Sequence, residues 1–326
     1  MNGNPKNATA QAARTRFKGS FIAEGTILVV FLVLFVASAI FVRGFFTPHN
    51  LSNLVRQASI NGVIALGMTF VIVSAGIDLS VGSSVGFAGM LAALMMTRFG
   101  MGIFPAVLIG LIGGTLVGLV NGIVVFDGKV PPFIATLGSM TVVRGVIMLI
   151  SGARMVSGLP RSFTNFAQLT VLGVPSLVLV WFSAAIVAGF IMRKTVFGRN
   201  IYAMGSNPEA ARLSGINLRL NYYGIYAFSA LMSSIAGIML TMRLANALPT
   251  AGNGYELDAI AACVIGGASL NGAEGTIVGT VIGAMLMATL RNSGTLLGID
   301  PFVLQILIGA LIVVAVLIDQ VQKHKQ

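Results

Sequence analysis

The sequence predicts an all-α, polytopic integral membrane protein of about ten transmembrane helices with an inverted internal repeat. Three observations predict it. Of the 326 residues, 56% are hydrophobic and 9% are charged, and the mean hydropathy is +0.94; a soluble domain carries about 25% charged residues. The apolar residues fall in runs near the roughly 20 that a spanning helix needs. A set of short motifs also occurs twice in the same order.

The elements follow along the chain. A polar, basic tail at 1–22 (Lys6, Arg14, Arg16, Lys18) precedes the first apolar run. Spans are predicted at 23–43, 50–75, 79–97, 102–126, 132–151, 175–192, 222–245, 257–269, 275–297 and 301–319. The first run contains Ala37-Ser38-Ala39, a weak signal-peptidase pattern, but it is long enough to span and many more runs follow. It is therefore read as an uncleaved helix. The domain plan is a cytoplasmic tail at 1–22, a membrane domain at 23–319 and a cytoplasmic tail at 320–326.

Charge orients the spans. With the N-terminus inside, twelve of the 20 Lys and Arg residues fall on the cytoplasmic side. Five (Arg43, Arg98, Arg154, Arg161, Arg243) fall outside, and Arg56, Arg144 and Arg291 lie within spans. That asymmetry is the positive-inside pattern. It accounts for the net charge of +11 without a nucleic-acid partner. The expected localisation is a bacterial cytoplasmic membrane, crossed several times, with both termini inside.

The repeat is short. "GTLVGLVNG" (Gly114 to Gly122) and "GTIVGTVIG" (Gly275 to Gly283) agree at six of nine positions. "SAG" at Ser74 precedes the first and "TAG" at Thr250 the second; "PF" follows each, at Pro132 and Pro301. Five spans separate the matching helices, so the copies face opposite ways, as in many transporters. Gly110, Gly114, Gly118 and Gly122 form a bare ridge, and Gly275, Gly279 and Gly283 are read as a second one. Such ridges let helices pack closely in lipid, and packing alone accounts for them.

Catalytic signatures are absent from the sequence. His49 and His324 lie near span ends, and no His/Cys/carboxylate cluster has metal-ligand spacing. There is no nucleophile elbow and no phosphate loop, since Val130 follows Lys129. Cys263 is the one cysteine, so no intrachain disulfide forms. The chain is read as no enzyme, with no metal and no cofactor of its own.

Polar residues in apolar surroundings are functional candidates. Asp78, Ser80, Asn121, Arg144, Glu256, Asp258, Arg291 and Asn292 are candidates for a translocation route. Simpler readings stand beside them. Gly76 ends one helix and Asp78 or Ser80 caps the next, at the cytoplasmic side; Glu256 and Asp258 cap and charge a helix N-terminus. The segment 205–216 reads as a short cytoplasmic helix. Asn207 caps it, Pro208 starts it, Glu209 suits its positive end and Gly215 stops it.

Three stretches, "GMTFVIVSAGIDLSVGS", "FGRNIYAMGSNPEAARLSGI" and "PTAGNGYELDAIAACVIGGASLNGAEG", resemble the membrane permease of ribose-type ABC importers. The resemblance runs from about residue 27 to 319 and implies a permease subunit that translocates a ribose-like aldose. It further implies a second permease copy, a cytoplasmic ATPase that uses ATP and Mg, and an extracytoplasmic sugar-binding protein. Pro208, Glu209, Ala210, Ala211, Arg212, Leu213, Ser214 and Gly215 match the helix that couples such permeases to the ATPase. Arg154 and Arg161, in the long outer loop 152–174, are candidates for binding-protein docking. Two alternatives stay open: an ABC permease for another small solute, such as a furanone-like signal or a branched-chain amino acid, and an ion-coupled secondary transporter.

Overall fold

The computed structural model describes residues 25–324; the predicted tail at 1–22 lies outside them. The helices are α1 (Gly25–Phe41), α2 (Pro48–Val73), α3 (Val81–Thr97), α4 (Ile103–Phe126), α5 (Pro132–Ser151), α6 (Arg161–Asn165), α7 (Ser176–Lys194), α8 (Val196–Ser206), α9 (Pro208–Leu213), α10 (Leu218–Leu244), α11 (Tyr255–Ile265), α12 (Ile277–Leu296) and α13 (Pro301–His324). Among the described residues, five helices (α2, α4, α5, α7 and α10) are long and apolar enough to cross a membrane. Shorter apolar helices are α1, α3 and the Pro301–Leu311 part of α13. The chain is a multi-pass, all-α membrane protein.

Helix starts are encoded locally, because lipid offers no partner to a free backbone group. Thr47, Asn217 and Thr276 each accept a hydrogen bond from a first-turn backbone N–H of α2, α10 and α12. The Asn217 cap starts α10 four residues before its predicted beginning at 222. The predicted loop at 152–174 is structured: it holds α6, a 3-10 turn and a small antiparallel hairpin, β1 (Thr170–Val171) with β2 (Val174–Pro175).

α2 and α10 form the core. Their most apolar windows are 83% and 72% buried, against 22% and 17% for α4 and α5. α2 and α10 are the two least apolar of the five; among helices surrounded by lipid, those that carry polar side chains turn inward. Phe70 and Phe228 join the two, with ring centroids 4.3 Å apart.

The remaining helices attach crosswise. α3 runs beside α10 in the same direction: Asp78 meets Ser229, Val85 meets Gly237 and Gly89 meets Thr241. α4 returns antiparallel along α10, with Gly114 against Ser234, Gly118 against Tyr226 and Gly122 against Tyr223. α11 follows α2 in the same way, through Asn61–Asp258 and Ala65–Cys263. α12 returns antiparallel along α2, through Thr69–Thr280 and Asn50–Asn292. Each central helix thus carries partners from the other half of the chain.

Four expectations need correction. The Asp78 turn does not lie at the cytoplasmic end: Ser229 is the twelfth of the 27 residues of α10, about 16 Å along it at 1.5 Å per residue. Gly76 does not end α2; the helix stops at Val73, and Ala75 takes the left-handed conformation. Gly275 lies outside α12, because Thr276 caps the helix behind it; it packs against Ala268 and Val73, while Gly279 and Gly283 pack against Gly266 and Ala262. The predicted span 257–269 is an 11-residue helix that stops at Ile265, before Gly266 and Gly267.

Candidate functional site

Two breaks meet where α3 and α11 begin. The first is the segment 74–80 between α2 and α3. The second is the turn 245–254 between α10 and α11, which folds back along α10. Gly82 and Gly252 touch so closely that a Cβ on either would collide with the carbonyl of the other. The first turns of α3 and α11 therefore meet in the interior.

Asp78 organises the first break. Its Oδ1 accepts from Ser80 N at 3.0 Å and Ser80 Oγ at 2.6 Å, and its Oδ2 accepts from Ser229 Oγ at 3.0 Å. Asn121 of α4 donates to Ser80 Oγ at 2.8 Å. The side chain that holds the turn is thus Asp78; Ser80 makes no side-chain cap to α3. Asp78 and Ser80 are 0% exposed and Asn121 is 1% exposed. Three predicted route residues come together here, but as a closed polar joint between α3, α4 and α10.

Arg144 organises the second break. Its Nη1 donates to the carbonyls of Pro249 at 3.0 Å and Ala251 at 2.9 Å, pinning the turn to α5. Glu256 lies over Gly82 and Arg144 over Gly86, one helical turn apart on α3. Glu256 and Arg144 attract each other across that face. The cap reading of Glu256 and Asp258 divides: both acids lie in the first turn of α11, and the Glu256 carboxylate accepts from the backbone N–H groups of Gly254 and of Glu256 itself. Gly254 precedes α11 with no side-chain cap. Asp258 instead pairs with Arg291 of α12 at 2.5 Å and accepts from Asn61 at 3.4 Å. Asn292 exchanges amide hydrogen bonds with Asn50, both 2.9 Å.

Sequence reading missed Ser229, Asn61 and Asn50, the partners that make these joints. It also missed Asp127, which pairs with Arg219 at 3.1 Å and accepts from the Tyr223 hydroxyl, tying the α4–α5 loop to the start of α10. No local motif marks any of them.

The short helix α9 matches its sequence signals residue by residue. Asn207 Oδ1 accepts from Ala210 N at 2.9 Å, with Pro208 at the first position. At the other end, Gly215 has φ +84°, Gly215 N donates to Arg212 O and Ile216 N to Ala211 O, the paired closure of a helix C-terminus. Glu209 and Arg212 pair at 2.6 Å on the exposed face, and Arg212 holds the Glu209 carboxyl below the ordinary carboxylate range, by the hydrogen bond first and by its charge second. Only Ala211 is buried, and Leu213 is 76% exposed. Arg154 and Arg161 are exposed in the 152–174 segment.

The similarity of the chain to known proteins bears on this geometry. A family model described as "Branched-chain amino acid transport system / permease component" matches residues 50–316. The chain belongs to this permease family. It is 41% identical over 311 residues to the ribose import permease protein RbsC of Bacillus subtilis, covering 94% of this chain and 95% of the relative. It is 38% identical over 321 residues to the galactose/methyl galactoside import permease protein MglC of Escherichia coli, covering 93% and 96%. The xylose transport system permease protein XylH of Haemophilus influenzae is 37% identical, covering 86% and 91%. No solved structure matches. The resemblance carried by the three sequence stretches therefore holds at family level.

Proposed function

We propose that the chain is the permease subunit of an ATP-driven importer for a monosaccharide, a ribose-like aldose. The observation that carries this is near full-length similarity to permeases named for ribose, galactose and xylose. The family description alone would admit an amino acid. The relatives named for sugars favour the sugar.

The architecture supports a ten-span subunit with an inverted repeat. α3 and α4 pack on α10 just as α11 and α12 pack on α2, and the two breaks meet at mid-depth. Broken helices meeting at the centre of a repeat are where transporters change access. Asp78, Ser80, Asn121, Arg144, Glu256, Asp258, Arg291 and Asn292 then serve as the joints that such a change must preserve or break.

The same reading assigns α9 to an ATPase in another chain, which takes ATP and Mg. Six helical residues alone are marginal in water. Caps at both ends keep α9 formed while its outer face, Glu209, Arg212 and Leu213, stays free for a partner groove. ATP binding would move α9, and the joints would carry that movement to the breaks, a two-state element biased from one side. A second permease copy completes the route, and a loaded binding protein docks outside, where Arg154 and Arg161 are exposed. Both termini then face the cytoplasm of a bacterial inner membrane.

Co-expression with the ATPase and the sugar-binding protein of such an importer tests the reading. Uptake of labelled D-ribose, D-galactose or D-xylose that needs ATP is the expected result. Uptake that survives ATP depletion and collapses with the ion gradient would establish a secondary transporter instead.

A further inference from the structure

The route residues discussed above are engaged with one another. A different set of polar side chains is not. Between α2, the end of α10 and the turn 245–254 lies a concavity of about 430 Å³, within the roughly 300–1,000 Å³ usual for small-molecule sites. Gln57, Arg243, Thr250, Asn253 and Tyr255 line it, with Leu240 of α10 among the apolar residues. None of these five polar side chains hydrogen-bonds to another group among the described residues, and Arg243 forms no ion pair there. A second concavity, about 500 Å³ beside α7, is lined mainly by apolar side chains with two serines.

We infer that this concavity is a monosaccharide-binding site of the permease itself, a stop between the outer face and the paired breaks. The inference rests on the sugar-permease reading. Gln57, Thr250, Asn253 and Tyr255 each both donate and accept hydrogen bonds, and Arg243 adds a planar fork of donors. That set matches neighbouring hydroxyls and a ring oxygen. A zwitterionic amino acid would bring an ammonium group to a lining that holds the Arg243 guanidinium and no carboxylate to balance it. The acids nearest the lining, Glu256 and Asp258 of α11, are outside it: Glu256 lies over Gly82 and faces Arg144, and Asp258 is held by Arg291.

Position adds the mechanism. The wall made by Thr250 to Asn253 is the second break, and Arg144 grips its Pro249 and Ala251 carbonyls from the far side. Gly252 of the same wall touches Gly82 of the first break. Movement of the breaks therefore changes the shape of the site, so transport and release are linked through one turn.

Cysteine protection tests this in the complete transporter in right-side-out vesicles. The natural Cys263 is 0% exposed, so the parent chain should remain unlabelled by a membrane-impermeant thiol reagent. Asn253→Cys should be labelled, and Thr250→Cys serves if that variant fails to assemble. D-ribose, D-galactose or D-xylose should slow the labelling, reaching about tenfold at ten times the half-protecting concentration, as single-site occupancy requires. Leu172→Cys, at a position 99% exposed in the hairpin, should be labelled with no protection. Protection by L-leucine alone, by the binding protein alone, or by nothing overturns the site. ATP-dependent sugar uptake measured in the same vesicles separates that failure from failure of the permease reading.

Discussion

The Asp78 carboxylate accepts a hydrogen bond from the Ser229 hydroxyl at 3.0 Å, across 151 positions of sequence, and joins the break after α2 to the middle of α10. With the two bonds from Ser80, it gives a fully buried acid three donors. The lone acid in an apolar stretch is thus a joint.

Its replacement separates shape from charge. Asp78→Asn keeps one oxygen for Ser80 and offers an amide to the Ser229 oxygen, so it should lower stability by about 1 kcal/mol or less. Asp78→Ala leaves the Ser80 and Ser229 donors unsatisfied and should cost about 2–4 kcal/mol. Thermal unfolding of the detergent-solubilised protein measures both. An Asn variant that melts normally yet abolishes uptake would show that the charge itself acts in transport.

The Asp258–Arg291 pair should respond differently. Breaking a buried pair costs about 3–5 kcal/mol, and the partial exposure of Arg291, 29%, puts Arg291→Met near the lower end. The double variant Asp258→Asn, Arg291→Met should recover part of that loss, because no charge remains unpaired. Equal melting temperatures for the single and double variants would refute the coupling.

Glycine substitution tests the packing of α4 on α10. A Cβ at Gly118 would collide with the Tyr226 carbonyl, which is backbone, so Gly118→Ala should cost about 1–3 kcal/mol. Gly138 on α5 has open space around its Cα. Gly138→Ala should be neutral or stabilising by about 0.5–1 kcal/mol. Comparing the two melting curves isolates helix approach from helix propensity.

The coupling reading of α9 predicts loss of uptake without loss of assembly. Glu209 and Arg212 are both more than half exposed, and pairs of that kind contribute little stability. Glu209→Lys and Arg212→Glu should therefore insert normally and fail in sugar uptake. Asn207→Ala removes the cap and should weaken α9 by about 1 kcal/mol. The depressed Glu209 pKa means that the pair's contribution is present above the ordinary value of 4.5 and lost as pH falls through the lower folded one. The ratio of wild-type to Glu209→Gln uptake should stay flat from about pH 5.5 to about pH 8. A ratio that changes within that window would contradict the assignment.

Much of the framework was legible because its causes are local. Each of the ten apolar segments contains a helix, and the cap and stop of α9 lie where Asn207 and Gly215 suggested. The ridge from Gly110 to Gly122 packs as its spacing implied. In lipid every backbone group must find a partner, so the residues that begin and end a helix are written beside it. That is what the sequence by itself determined: the helices, their polar ends and the duplicated motif. Only the tertiary structure decided what the polar side chains do. Asp78 reaches the middle of α10, Asp258 finds Arg291, and Arg144 holds the turn beside an open pocket. Those bonds depend on which helices lie side by side. Serines and asparagines such as Ser229, Asn61 and Asn50 carry no local mark of the partner that packing will bring them.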